Sequence, residues 1–165
     1  MSDSPSPRSD RPWDAEGALP LPLIPLDRTF EGFLDLEWLE LTSDSAHVRF
    51  RVRENLKQPL GLLHGGIYCA VAETIASVAT VREVWKEGSI ASGLSNSASF
   101  LRPITAGTID VVARLRGHDE TEWLWSHEFR DEQGRLCALV DVTIAARPAS
   151  DHYPGVMTSG SGAGA

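Results

Sequence analysis

Residues 64–81 read HGGIYCAVAETIASVATV, and this stretch decides the fold. From Gly65 to Val81 the alternation of a strand is missing, and the run is long enough and alanine-rich enough to form a helix. Its apolar residues lie all round, which predicts a helix buried on most sides rather than one lying on a surface. Arg82, Glu83, Lys86 and Glu87 supply a charged end, and Gly88 stops it.

Upstream, Ala46, Val48, Phe50 and Val52 alternate with His47, Arg49, Arg51 and Arg53, the pattern of a half-buried strand. The run Phe33 to Leu41 also reads as a strand, and Ser43-Asp44-Ser45 turns the two into a hairpin. Downstream come four more strand-like segments: Ile90 to Leu101, Thr108 to Arg116, Glu122 to Arg130, and Arg135 to Ala146. The breaks between them are short enough for hairpins, although the first, Pro103 to Gly107, also suits a wider crossover. The order ββαββββ predicts an α+β fold in which a curved antiparallel sheet wraps around one long central helix. Trp123, Trp125 and Phe129 share one face of a strand and are read as core.

The proline-rich residues 1–22 predict a disordered arm, residues 23–148 the folded domain, and the Gly/Ser/Ala-rich residues 149–165 a flexible tail. A chain of 165 residues with 42% hydrophobic content is sized for one domain. Its 15 basic residues are scattered among 23 acidic ones, for a net charge of −8, which argues against nucleic acid as a partner. No segment approaches the roughly 18 apolar residues a membrane helix requires, and the N-terminus has no apolar signal core. A cytoplasmic protein without a membrane partner is the expectation. Cys69 and Cys137 sit in apolar segments without a CxxC pair and are read as buried thiols.

Between Gly65 and Val81 the one charged side chain is Glu73. A carboxylate in such a helix must find partners, shift its pKa upward, or open onto a cavity. Cys69, Ala70, Ser77 and Thr80 share its face at helical spacing, small or polar residues that leave room for a ligand and offer no counter-charge. Before the helix, Gly65-Gly66 allows a ligand to approach first-turn amides, whose N–H groups have no intrahelical acceptor and can stabilise an oxyanion. The loop Gln58 to His64 adds two groups able to hydrogen-bond a carbonyl or orient a neighbour. GxSxG, P-loop, GxGxxG and HExxH motifs are missing, and the five histidines lack metal-ligand spacing, so no metal is expected.

The segments QPLGLLHGGIYCAVAETIAS, SNSASFLRP, EWLWSHEFRDEQGRLCA and IAARP resemble the hotdog-fold acyl-CoA thioesterases, in particular the 4-hydroxybenzoyl-CoA thioesterase group with its acidic residue on the central helix. The likeness runs from about Leu34 to Pro148. It implies hydrolysis of an aryl or other acyl thioester of coenzyme A. Glu73 would attack the carbonyl or activate water, and the Gly65 amide would polarise the carbonyl. It further implies that Gln58 reaches the neighbouring subunit's site, that His64 arranges the loop, and that Ser77 holds water where relatives commonly carry Thr. Arg102 and Thr121 match positions near the coenzyme A phosphates. Glu120 and Ser150 depart from the family pattern there, with Arg147 the nearby basic residue. A homotetramer built from dimers, with sites at subunit interfaces and no cofactor beyond the substrate's own coenzyme A, is implied as well. Val78, next to Ser77, offers a phenolic substrate no polar partner. The alternatives are a hydratase or dehydratase pairing His64 with Glu73, and a non-catalytic acyl-CoA sensor.

Overall fold

The computed structural model describes residues 24–149. The arm foreseen at residues 1–22, and all of the foreseen tail beyond its first residue, lie outside them. The elements are a short helix α1 (Phe30–Leu34), strands β1 (Glu37–Leu41) and β2 (Ser45–Arg51), the long helix α2 (Gly65–Val84), and strands β3 (Ser89–Phe100), β4 (Thr108–His118), β5 (Glu122–Arg130) and β6 (Leu136–Pro148). The six strands form one antiparallel sheet in the order β1-β2-β4-β5-β6-β3 around α2. This is the hotdog arrangement foreseen from the sequence.

One detail differs from that reading, and one falls to the second of the two alternatives it left open. Phe33 and Leu34 are helical: Thr29 caps α1 by accepting from the Gly32 amide, and Asp35 ends it in the left-handed conformation at φ 54°. The first strand therefore starts at Glu37. Pro103 to Gly107 belongs to a crossover, because β3 pairs with β6 at the sheet edge while β4 lies between β2 and β5.

Alternation on the strands supplies the core. Val48 and Phe50 of β2, Ile109 and Val111 of β4, Trp125 and Phe129 of β5, and Val142 and Ile144 of β6 all face α2 and are buried. The helix answers with Val71, Ala72, Ile75, Ala76 and Ala79, whose alanines let the sheet close in. Each large side chain buried this way contributes roughly 1.5–3 kcal/mol of transfer free energy. Thr80, foreseen beside Glu73, is instead fully buried and accepts a 3.0 Å hydrogen bond from Trp125 Nε1, joining helix to sheet. No helix among the described residues is long and apolar enough to cross a membrane.

The edge strand β3 is unusual. It runs twelve residues without a charged side chain or a proline, and residues 92–97 are exposed. Natural sheets ordinarily blunt such an edge or cover it.

Candidate active site

Loop 57–64 is held by backbone hydrogen bonds that fix the entry to α2. Gln58 N–H donates to Leu62 O at 2.8 Å, Gly61 N–H to Gln58 O at 2.8 Å, and His64 N–H to Leu56 O at 2.9 Å. Gly61 takes φ 83°, a turn conformation that favours glycine. His64 is the N-cap of α2, and its Nδ1 accepts from the Gly66 amide at 2.9 Å. His64 therefore caps the helix and ties the end of the loop to its first turn. The Ile67 amide bonds to His64 O, while the Gly65 amide has no acceptor among the described residues. That N–H is the free donor at the positive end of the helix.

A cavity of about 350 Å³ opens beside it, lined by Gln58, Leu62, Gly65, Tyr68, Phe100 and Arg102 among others. Its size is that of a small-molecule pocket. Gln58 Oε1 accepts from the Leu60 amide at 3.0 Å, which leaves the side-chain NH₂ without a partner among the described residues. Phe100 packs against Gly65, where a Cβ would lie 3.1 Å from the ring. Arg102 stands exposed on the cavity wall and forms no ion pair among the described residues.

Glu73 lies farther along α2, half-buried and without a cationic partner among the described residues. Ser77 Oγ donates to its Oε1 at 2.9 Å, so the hydroxyl one turn on holds the carboxylate directly. On the other side the carboxylate rests against Gly93 of β3, where a Cβ would come within 3.0 Å of Oε1. Nearby, Asn96 Nδ2 donates to Cys69 O at 3.0 Å and fastens β3 to the helix. Gly93 and Asn96 escaped the sequence reading; the glycine inside a strand, which often marks close approach of another group, was the available signal.

These groups form two separate clusters within one chain. Gly65 and Glu73 are eight residues apart on a helix, about 12 Å along its axis, too far to touch one carbonyl. His64 and Glu73 are equally unpaired, contrary to what a hydratase would need in a single chain. Arg102 and Thr121 lie at opposite ends of β6: the Arg102 amide donates to Cys137 O, and the Ala146 amide to Thr121 O. Nine residues of strand separate those anchor points, about 30 Å. Thr121 has its hydroxyl committed to Asp119 Oδ1 at 3.1 Å. The backbone N–H groups of Thr121 and Glu122 also donate there and hold the Asp119 carboxyl below its usual range. Arg147 Nη1 donates to Thr121 O at 3.3 Å, which places a cation at this tip near the exposed Glu120. Ser150 lies outside the described residues. Among those residues, no group of three or more His, Cys, Asp or Glu is arranged to hold a metal ion.

Residues 60–138 match the family model of the thioesterase superfamily. Rv1847 of Mycobacterium tuberculosis, which carries an esterase name, is 34% identical over 126 residues, covering 72% of this chain and 89% of that protein. The 1,4-dihydroxy-2-naphthoyl-CoA hydrolase of Escherichia coli K12 is 33% identical over 114 residues, covering 69% and 83%. Among solved structures, AziG of S. sahachiroi superimposes with a TM-score of 0.67 at 34% identity, over 71% of this chain and 94% of that one. Fold, motif order and relatives agree, and the chain belongs to the thioesterase superfamily.

Proposed function

We propose that the protein hydrolyses acyl-CoA thioesters, with an aromatic acyl group of the 4-hydroxybenzoyl kind, at a site completed between two copies of the chain. The observation that carries this reading is Glu73: a carboxylate fixed by Ser77, unneutralised by any cation among the described residues, and open on the outward face of the helix. In the reaction Glu73 takes a proton from water as the water oxygen adds to the thioester carbon, or adds to that carbon itself before water releases the acid. The Gly65 N–H holds the oxyanion, the C–S bond breaks, and coenzyme A leaves as its thiol after protonation. Gln58 orients the carbonyl, His64 holds the loop, and Arg102 and Thr121, about 30 Å apart within one chain, receive coenzyme A phosphates from different copies. No cofactor takes part.

The separation of Gly65 from Glu73 favours a shared site. The exposed run 92–101 of β3 and the residue after it, broken only by half-buried Ala98, is centred between Asn96 and Ser97. Antiparallel pairing of two β3 edges about that centre would set Gly93 opposite Phe100 of the second copy. Gly93 touches Glu73, and Phe100 touches Gly65. Each carboxylate would then face the other copy's free amide and cavity, and the unpaired edge would be covered. Leu124 and Leu139, both exposed on the outer face of the sheet, offer an apolar contact for joining dimers into a tetramer.

The test is thiol release from a panel of acyl-CoAs, aromatic and aliphatic, by wild type and Glu73→Ala. Aryl-CoA turnover that falls at least a hundredfold in the variant is the expected result. Unchanged turnover in the variant would remove Glu73 from the mechanism, and a panel hydrolysed without preference for aryl groups would remove the aromatic assignment.

A further inference from the structure

Tyr68 is the residue of the cavity whose chemistry is not used by the reaction described above. It follows Gly65 by three positions on α2, so the two are neighbours on the helix surface, with a rise of about 4.5 Å between them. Side chains on a helix lean back toward its N-terminus, which carries the phenol toward the level of the Gly65 amide. The ring is clamped edge-on against Phe129, with centroids 5.1 Å apart, and tilted against Phe100 at 5.6 Å. Only 4% of the residue is exposed.

Its hydroxyl makes no hydrogen bond among the described residues. A buried tyrosine ordinarily finds a partner for its O–H. The hydroxyl is not sealed in the core either, since the one fully occluded side-chain polar atom without a partner among the described residues is His127 Nε2. Tyr68 is one of the residues lining the cavity beside Gly65. Burial pushes the phenol up to about 12, so it stays protonated and able to donate across the physiological range. Leu62, Leu63, Phe100 and Ile104 make up an apolar part of the wall that suits a flat hydrocarbon ring, while Gln58 and Arg102 supply its polar part.

We propose that Tyr68 determines acyl specificity: its hydroxyl donates a hydrogen bond to an oxygen on the acyl group, so the site selects oxygen-substituted aryl thioesters over hydrocarbon ones of equal size. This rests on the thioesterase reading and adds to it that the acyl group enters the cavity beside the Gly65 amide, with Arg102 on the exposed part of the wall left to coenzyme A. An acyl group that fills the cavity without an acceptor leaves the phenol desolvated and unpaired, and the discrimination comes from that difference.

The experiment compares 4-methoxybenzoyl-CoA with 4-ethylbenzoyl-CoA, similar in size and differing in the acceptor, and repeats the comparison with the 3-substituted pair. Wild type should favour the methoxy compound of at least one pair by about three- to tenfold in kcat/KM, the range of one neutral hydrogen bond. In Tyr68→Phe that ratio should fall to about one or below. A wild-type ratio near one for both pairs, or a ratio that survives in Tyr68→Phe, overturns the proposal. Calorimetric binding of the matching free acids to wild type separates the two claims. A methoxy preference in binding without thiol release from any thioester keeps the Tyr68 role and removes the thioesterase reading. Thiol release with no preference in either measurement does the reverse.

Discussion

His127 makes the stability of this fold depend on pH. Strand alternation places it on the inward face of β5 between Trp125 and Phe129, with 1% of its surface exposed. Its Nδ1 lies 3.1 Å from Val140 O, a carbonyl that can only accept, so Nδ1 carries the proton and Nε2 is left a buried acceptor without a partner. Burial pushes the imidazole down to about 4, against an ordinary 6.5. Above pH 6.5 the ring is neutral whether the chain is folded or not, and its contribution is fully present. As the pH falls through 6.5 the unfolded chain takes up the proton and the folded chain does not, so stability is lost until the folded ring protonates near 4. A shift of that size corresponds to about 3 kcal/mol, a large part of the 5–15 kcal/mol of a typical domain. Urea unfolding of wild type and His127→Leu between about pH 7.5 and pH 4 isolates the effect. Wild type should lose about 3 kcal/mol more than the variant over that range. Parallel curves for the two proteins would refute the reasoning.

Gly93→Ala should lower kcat/KM by tenfold or more with the melting temperature nearly unchanged, because the added methyl meets Glu73 Oε1 at 3.0 Å and re-aims a carboxylate that the fold does not need. Activity equal to wild type would show that Glu73 has room to spare. Ser77→Ala removes the 2.9 Å donor to the same carboxylate and should cost about 1.5–3 kcal/mol of transition-state stabilisation in kcat, the range of a hydrogen bond to a charged group. Steady-state kinetics on an aryl-CoA would check it, and an unchanged kcat would count against the hydroxyl.

Much of this architecture was legible in the sequence because its signals are local. The alanine-rich run with Gly65-Gly66 ahead of it marked α2, and alternation marked β2 and the strands from β4 to β6. Leu34 was misread because Phe33 and Leu34 continue the apolar pattern of β1, while the Thr29 cap that makes them helical precedes the run. The pairing of β3 with β6 was beyond reach, since strand order depends on contacts far apart in sequence. Glu73 stood out as a charge in an uncharged helix, and the Ser77 contact follows from helical spacing alone. Gly93 could not be found that way, because its closeness to Glu73 joins two elements that only the packed sheet brings together. Thr80 shows the converse: its spacing from Glu73 suggested a shared face, but the hydrogen bond from Trp125 turns it into the core.

The most direct test of a site shared between two copies is complementation. Glu73→Ala and Gly65→Val chains, each inactive alone, would be co-expressed under separate affinity tags and the hybrids assayed for thiol release from an aryl-CoA. If Glu73 of one copy works with Gly65 of the other, each hybrid dimer regains one intact site of two, and the doubly purified hybrids return about half of wild-type activity. Hybrids as inactive as their parents would contradict the shared site and place the whole reaction within one chain.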